Sequence, residues 1–369
     1  MKWKGIVCCV GAGLCVTGLL FGGTALAMTG GDFAAAHQVR PFEKKEQTIS
    51  AQDIQSIRLN IQDQRIQVIA GDTDDFTMTY WQYADESFTI DTVAGELQVE
   101  YAANTPWYEN MVSIGEAFRE PFVLTVPEEY AGDLYVSGAN NSLLVQNLSN
   151  LTDCRLDTRN GSITLKDLET ADLTVQTTNA NLQISHVSAD RAQLSTTNGS
   201  VRLEQLQVTG QLNAQTTNAA IRSTNVTAAG GILTTTNGSM QLEGNTFTDK
   251  LEAVTSNASI TARNLQSADL SFQNRNGSIR LSDVTASGTL SASSTNGGLQ
   301  VERIFGAQLS LKTTNAAIRG TIRGEEDTFS ILTQTTNGSS NLTNTIRTDA
   351  PHQLSAVTTN ASIRLDFVS

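Results

Sequence analysis

From residue 140 onward the chain repeats one short phrase, Thr-Thr-Asn-Gly-Ser-Ile or Thr-Thr-Asn-Ala-x-Ile. Its asparagines are Asn140, Asn160, Asn179, Asn198, Asn218, Asn237, Asn257, Asn276, Asn296, Asn315, Asn337 and Asn360. They recur every 19 or 20 residues as far as Asn315, and then at 22 and 23. So fixed a period excludes a low-complexity tract and requires a stack of equivalent units.

Aligning the repeats on the asparagine separates inward from outward positions. Three residues after it come Leu143, Ile163, Leu182, Val201, Ile221, Met240, Ile260, Ile279, Leu299, Ile318 and Ile363. Two residues further come Val145, Leu165, Ile184, Leu203, Leu242, Leu281, Val301, Leu342 and Leu365. Before the asparagine, Leu134/Val136, Leu173/Val175, Leu270/Phe272 and Leu309/Leu311 alternate with polar residues. Period-two alternation predicts short strands with one buried face. The Asn-Gly and Asn-Ala steps read as the corner between strands, because Asn and Gly tolerate left-handed backbone.

One repeat cannot fold alone. Ordering a residue costs about 1–2 kcal/mol, and a fully buried aliphatic side chain returns only about 1.5–3 kcal/mol. Stacked coils pair their backbones and share a continuous core. The expected fold is therefore all-β: a single-stranded β-solenoid, or β-helix, of coils of about 20 residues. The residue after the asparagine alternates Gly161, Ala180, Gly199, Ala219, Gly238, Ala258, Gly277, which admits a coil of about 39 residues with two similar halves. Gly297 followed by Ala316 breaks that parity, so one coil per repeat is the preferred reading. Asn160, Asn179, Asn198, Asn218, Asn237, Asn257, Asn276, Asn296 and Asn315 are expected to form a structural ladder of stacked amides. The threonines two residues earlier (Thr158, Thr177, Thr196, Thr216, Thr235, Thr255) are expected to form a second one.

Upstream, residues 49–130 carry strand-like segments and read as a β-rich amino-terminal cap on the solenoid of residues 131–369. The segments are Ile57–Ile61, Ile66–Val68, Phe76–Tyr80, Phe88–Ile90, Leu97–Tyr101 and Val123–Pro127. An irregular stretch at 103–120 carries Trp107, Tyr108, Met111 and Phe118, an aromatic loop suited to folding over the core or to a partner. Residues 28–48 read as a polar juxtamembrane linker. Gly5 to Ala27 is a run of 23 uncharged residues behind Lys2 and Lys4, long enough for one transmembrane helix. The positive-inside rule then places residues 1–4 in the cytoplasm and residues 28–369 outside it, on a single-pass cell-membrane protein. Ala25-Leu26-Ala27 also has the form of a signal-peptidase site, so secretion after cleavage near Ala27 is the alternative.

Thirty-seven acidic against 24 basic residues give a formal charge of −13, which argues against nucleic acid as a partner. Cys154 is the sole cysteine outside the apolar run, so no disulfide framework and no cysteine-based zinc site is expected. His37, His186 and His352 share no repeat register, and aspartates form no column. Neither a catalytic pair, a metal site nor a cofactor site is expected, and the chain does not read as an enzyme. One outward column stands out. Four residues after the asparagine come Arg202, Arg222, Arg280, Arg319 and Arg364, with Gln183, Gln241 and Gln300 among them. Such a row suits an anionic cell-wall polymer, and equally a solvated face that discourages edge aggregation.

Together the apolar amino-terminal run, the stretch Ile54-Gln55-Ser56-Ile57-Arg58-Leu59 and the Asn-Gly-Ser-Ile repeats resemble the bacterial domain family known as "putative adhesin". The resemblance covers residues 45–369, and that domain also occurs in LiaG-like envelope-stress proteins. It implies an extracytoplasmic β-solenoid and supplies no catalytic residues. Three functions follow in descending order. The first is a membrane-anchored, non-catalytic adhesion or surface-interaction module. The second is an accessory in cell-envelope stress sensing, working through a membrane protein partner. The third, distant, is a β-helical carbohydrate-active enzyme. The carboxy-terminal coil, with no cap sequence after Phe367-Val368-Ser369, is also expected to offer an open edge for self-association.

Overall fold

In the computed structural model, residues 43–84, 86–103 and 120–369 are described. The apolar run at 5–27, most of the linker and the aromatic residues of 104–119 lie outside them. Two compact units are present. Among the described residues, the smaller contains 43–45, 80–84, 86–87, 102–103 and 120. There the buried Tyr83 N–H donates to Glu86 Oε2 at 2.9 Å, and Lys44 Nζ lies 5.9 Å from the Trp81 ring centre. Residues 43–48, read as linker, begin the strand Glu43–Ile49.

The larger unit is a stack of parallel coils. Ile163 pairs with Leu182, Leu182 with Val201, Val201 with Ile221, Ile221 with Met240 and Met240 with Ile260. Each partner is 19 or 20 residues away, so one repeat makes one coil and the 39-residue alternative is excluded. The inward columns are buried as their alternation requires, except that Leu342 is half-buried and outside any strand. A further inward column closes the coil eight residues after the asparagine: Leu148, Leu168, Val187, Leu206, Val226, Leu265, Val284 and Ile304. Asn245 occupies it in one coil. Its buried amide accepts from Val226 N–H at 2.9 Å and donates to Ser223 Oγ at 2.6 Å, so no polar atom is stranded.

Left-handed backbone occurs, but not at the Asn-Gly step. It falls seven residues after the asparagine, at Asn147, Asp167, His186, Gln205, Asn225, Gly244, Asn264, Asp283 and Arg303, with φ of 48–65°. This residue turns the strand between two inward columns, and it explains the place of His186. Glycine at the Asn-Gly step answers a different demand. A Cβ on Gly161, Gly199 or Gly238 would sit 1.6 Å from the carbonyl oxygen of Asn141, Ala180 or Ala219 in the preceding coil.

At both ends, order in space departs from order along the chain. Strand Ser56–Asn60 lies between Glu96–Ala103 and Asp133–Gly138, and Ile66–Gly71 lies between Phe122–Pro127 and Leu143–Thr158. Residues read as a cap thus stack as coils, with the later one outermost. Strand Phe76–Gln82 then runs antiparallel along Phe122–Pro127, pairing Thr77 with Thr125 and Thr79 with Val123. The far end repeats the device. Strand His352–Val357 lies between Gln308–Thr313 and Phe329–Gln334, and Ile363–Val368 stacks on Ile318–Arg323.

The last coil is therefore not the open edge that the sequence suggests, because residues 329–342 cover it. Ser339 O accepts from Ile363 N–H, and the Asn341 amide serves both Leu365 N–H and Leu365 O. The outer strand Phe329–Gln334 is closed in turn. Ile331 and Thr345 exchange two backbone bonds, and the Asn344 amide serves Thr333 in the same way. An antiparallel segment at each end occupies groups that would otherwise template another strand.

Candidate interaction face

Stacking converts each sequence position into a column. The asparagines make a ladder in which every Nδ2 donates to Oδ1 of the neighbouring coil. Twelve bonds of 2.5–2.8 Å run from Asp63 through Asn140 and Asn160 to Asn315, then Asn360, then Asn337. All the amide dipoles point one way, and the Asp63 carboxylate meets the donor end. The ladder also records the layer exchange, since Asn360 sits between Asn315 and Asn337.

The threonines do something other than bond to one another. Thr196 Oγ1 donates to Ala180 O at 3.0 Å, Thr216 to Gly199 O at 2.8 Å, Thr235 to Ala219 O at 3.1 Å and Thr255 to Gly238 O at 3.0 Å. Buried hydroxyls thereby satisfy the corner carbonyls of the coil before. Thr177 is the exception, buried with no partner for Oγ1.

The outward Arg/Gln column is continuous. Gln183, Arg202, Arg222, Gln241, Thr261, Arg280, Gln300, Arg319 and Arg364 are successive neighbours in parallel register. Its arginines differ in what they already hold. Arg202 is paired with Glu204 at 2.5 Å, and Arg222 Nε donates to Gln241 Oε1 at 3.2 Å. Arg280, Arg319 and Arg364 are exposed and have no ion-pair partner among the described residues.

Around Arg280 and Arg319 the face sinks into a cleft of about 980 Å³. Ala262, Gly298, Ala317 and Gly320 line it, with Arg263, Gln300, Asp283 and Glu302. Gly320 takes φ +137°, and a Cβ there would lie 1.6 Å from Val301 O, so only glycine fits. The acids of the cleft are already engaged. Arg303 binds Asp283 through Nε at 2.7 Å and Glu302 through Nη1 at 3.0 Å. The Arg303 guanidinium holds the Asp283 carboxyl below the usual carboxylate range. Arg263, Arg280 and Arg319 have no ion-pair partner among the described residues, so with Arg303 four guanidinium groups stand against two carboxylates there.

Sequence reasoning placed Arg280 and Arg319 in one row but missed Arg263, two positions further along its repeat in the adjacent column. It also missed Arg303, whose left-handed position has no shared side-chain signature, and the glycine standing at position 320 where a large inward residue recurs. Cys154 is wholly buried, and burial pushes its thiol up to about 12, away from reactivity. His352 opens the strand His352–Val357, with its ring 5.1 Å from both Phe305 and Phe329. Among the described residues, no three His, Cys, Asp or Glu side chains come together in a way that could hold a metal ion. No described helix is long and apolar enough to cross a membrane.

Residues 54–222 match the family model described as Toastrack DUF4097. The resemblance drawn from the repeats is thus shown over that span, which runs from the first stacked coil into the regular repeats. None of the curated proteins matches the chain. One solved structure, described as a "putative cell adhesion protein" from Clostridium sporogenes ATCC 15579, aligns at 7% identity with a TM-score of 0.23, covering 89% of this chain and 100% of that one.

Proposed function

We propose that the chain is a non-catalytic surface-interaction module whose Arg/Gln column grips an anionic polymer, with the cleft at Arg280 and Arg319 as its tightest point. One observation carries this reading. In a chain of net charge −13, three guanidinium groups stand without an ion-pair partner around a single cleft, while a fourth engages both of its carboxylates, so four positive charges face two negative ones. Protection against edge aggregation is a weaker explanation, because both ends of the stack are closed by antiparallel segments and the cleft lies on the face. Arg280 and Arg319 flank Gln300 and stand two coils apart, about 9.6 Å at the usual strand spacing. That separation suits successive carboxylates or phosphodiesters on an extended polymer, each met by a forked donor. In this reading residues 5–27 hold the module at the membrane with its face toward the cell wall.

The test is equilibrium binding of the protein to polyuronate and to a phosphodiester wall polymer, with a neutral glycan as control. Replacing Arg280 and Arg319 together by Gln is expected to weaken anionic binding by about ten-fold or more, since each charge-assisted bond contributes about 1.5–3 kcal/mol. Raised salt should weaken binding by the unaltered chain. Preference between the two polymers identifies the anion. Equal affinity of the double variant, or binding of the neutral glycan as strong as that of the anionic polymers, contradicts the proposal. Arg58→Gln together with Arg191→Gln, which removes two guanidinium groups already paired with Glu96 and Asp172, serves as the charge-matched control.

A further inference from the structure

Residues 329–342 are the outermost layer at the far end of the stack, yet they precede in sequence the layer on which they rest. Strand His352–Val357 is the backbone partner of Gln308–Thr313 on one side and of Phe329–Gln334 on the other, so without it both facing edges would be unpaired. Everything the incoming coil needs is on those two walls. Leu354 pairs with Leu309 on one side and Ile331 on the other. Asn360 donates to Asn315 and accepts from Asn337, both at 2.7 Å. Thr358 Oγ1 donates to Ala316 O at 3.0 Å.

None of these contacts depends on which chain supplies the coil. Only the connection at 343–351 makes it the chain's own. That connection is held by the Ile331–Thr345 pair, the Asn344 amide and Arg347, which donates to Ser330 Oγ and to Asp327 O. It also carries Ile346 at 82% exposure and the extended step before Pro351. Opening it costs a few surface bonds, whereas the filled layer restores a full set of backbone and core contacts. An element joined by so slight a hinge, with every other contact satisfied equally in trans, is the condition for exchange between identical chains.

We propose that coil 352–368 is an exchangeable donor, and that the layer between residues 308–323 and 329–342 accepts the same coil from a second copy of this chain. Partners would then join through this filled layer.

The experiment uses two full-length chains made in the same cells, one carrying Gln308→Cys and the other Gln353→Cys. These exposed residues are direct neighbours across the layer. Isotope labelling of one chain and peptide mapping then distinguish links within and between chains. The proposal expects a 308–353 disulfide joining the two chains, and a several-fold larger fraction of it when the connection is shortened by deleting residues 347–349. A single chain carrying both cysteines reports that the layer is correctly formed. If that chain closes its internal link while the two single-cysteine chains never join, even with the short connection, the proposal is overturned.

Discussion

Gly238→Ala is expected to destabilise the folded chain by about 4 kcal/mol or more, a cost reserved for substitutions that leave the backbone no room. The added methyl would lie 1.6 Å from Ala219 O and 2.2 Å from its carbonyl carbon. Both atoms are backbone, so no side-chain rotation relieves the overlap. The two coils must part, and parting them breaks the Asn237 N–H to Thr217 O bond, the Ile221 N–H to Ser239 O bond and the ladder link from Asn237 to Asn218. Gly238 sits mid-stack, and coupling in a repeat array runs only between neighbours. Unfolding in urea should therefore separate into two transitions, one for each side of the break. The reverse change one coil earlier, Ala219→Gly, should cost only about 0.5–1 kcal/mol from added backbone freedom. A Gly238→Ala chain that unfolds in one transition within about 1 kcal/mol of the parent would show that the coils are not in this contact.

Phe272→Ala is expected to cost about 3–5 kcal/mol through the cavity it leaves. Phe272 is fully buried, and its partners in the adjoining coils are Ala253 and Ala292. One large residue between two small ones fills three layers, so removing it leaves three alanines in a row with nothing able to close the gap. The same arrangement predicts a specific rescue. Ala292→Leu alone should overpack and cost about 1–3 kcal/mol, yet in the Phe272→Ala background it should recover part of the loss. Denaturant unfolding of the four chains gives the coupling directly. Additive costs would mean that the two residues do not share one cavity.

The period, the inward columns and the Asn ladder were legible because each imposes one residue type on one position. Ile279 and Leu299 must be apolar wherever the strand alternates, and Asn276 must carry an amide wherever its neighbours do. What escaped reading imposes no such type. The left-handed residue is Asp167 in one coil, His186 in the next and Arg303 later, because the demand is on φ and the surrounding coil meets its cost. Glycine at 161, 199 and 238 was noticed for its freedom, whereas the structure uses its missing Cβ. Layer exchange was hidden because alignment on a repeat assumes that order along the chain is order in space. Its trace was the lengthened spacing from Asn315 to Asn337 and from Asn337 to Asn360. The lining of the cleft includes Gly320, an apparent lapse in an apolar column, whose close approach to the Val301 backbone admits no side chain.

The interaction face and its charge spacing all rest on one coil per repeat in parallel register, and a distance along the Arg/Gln column tests that most directly. Spin labels at Gln183→Cys and Gln300→Cys, both exposed, are separated by six coil intervals. At about 4.8 Å per interval the backbone positions should be about 29 Å apart by pulsed electron spin resonance. A separation near 14 Å would mean that two repeats share one coil, and the column proposed to hold an anionic polymer would not exist.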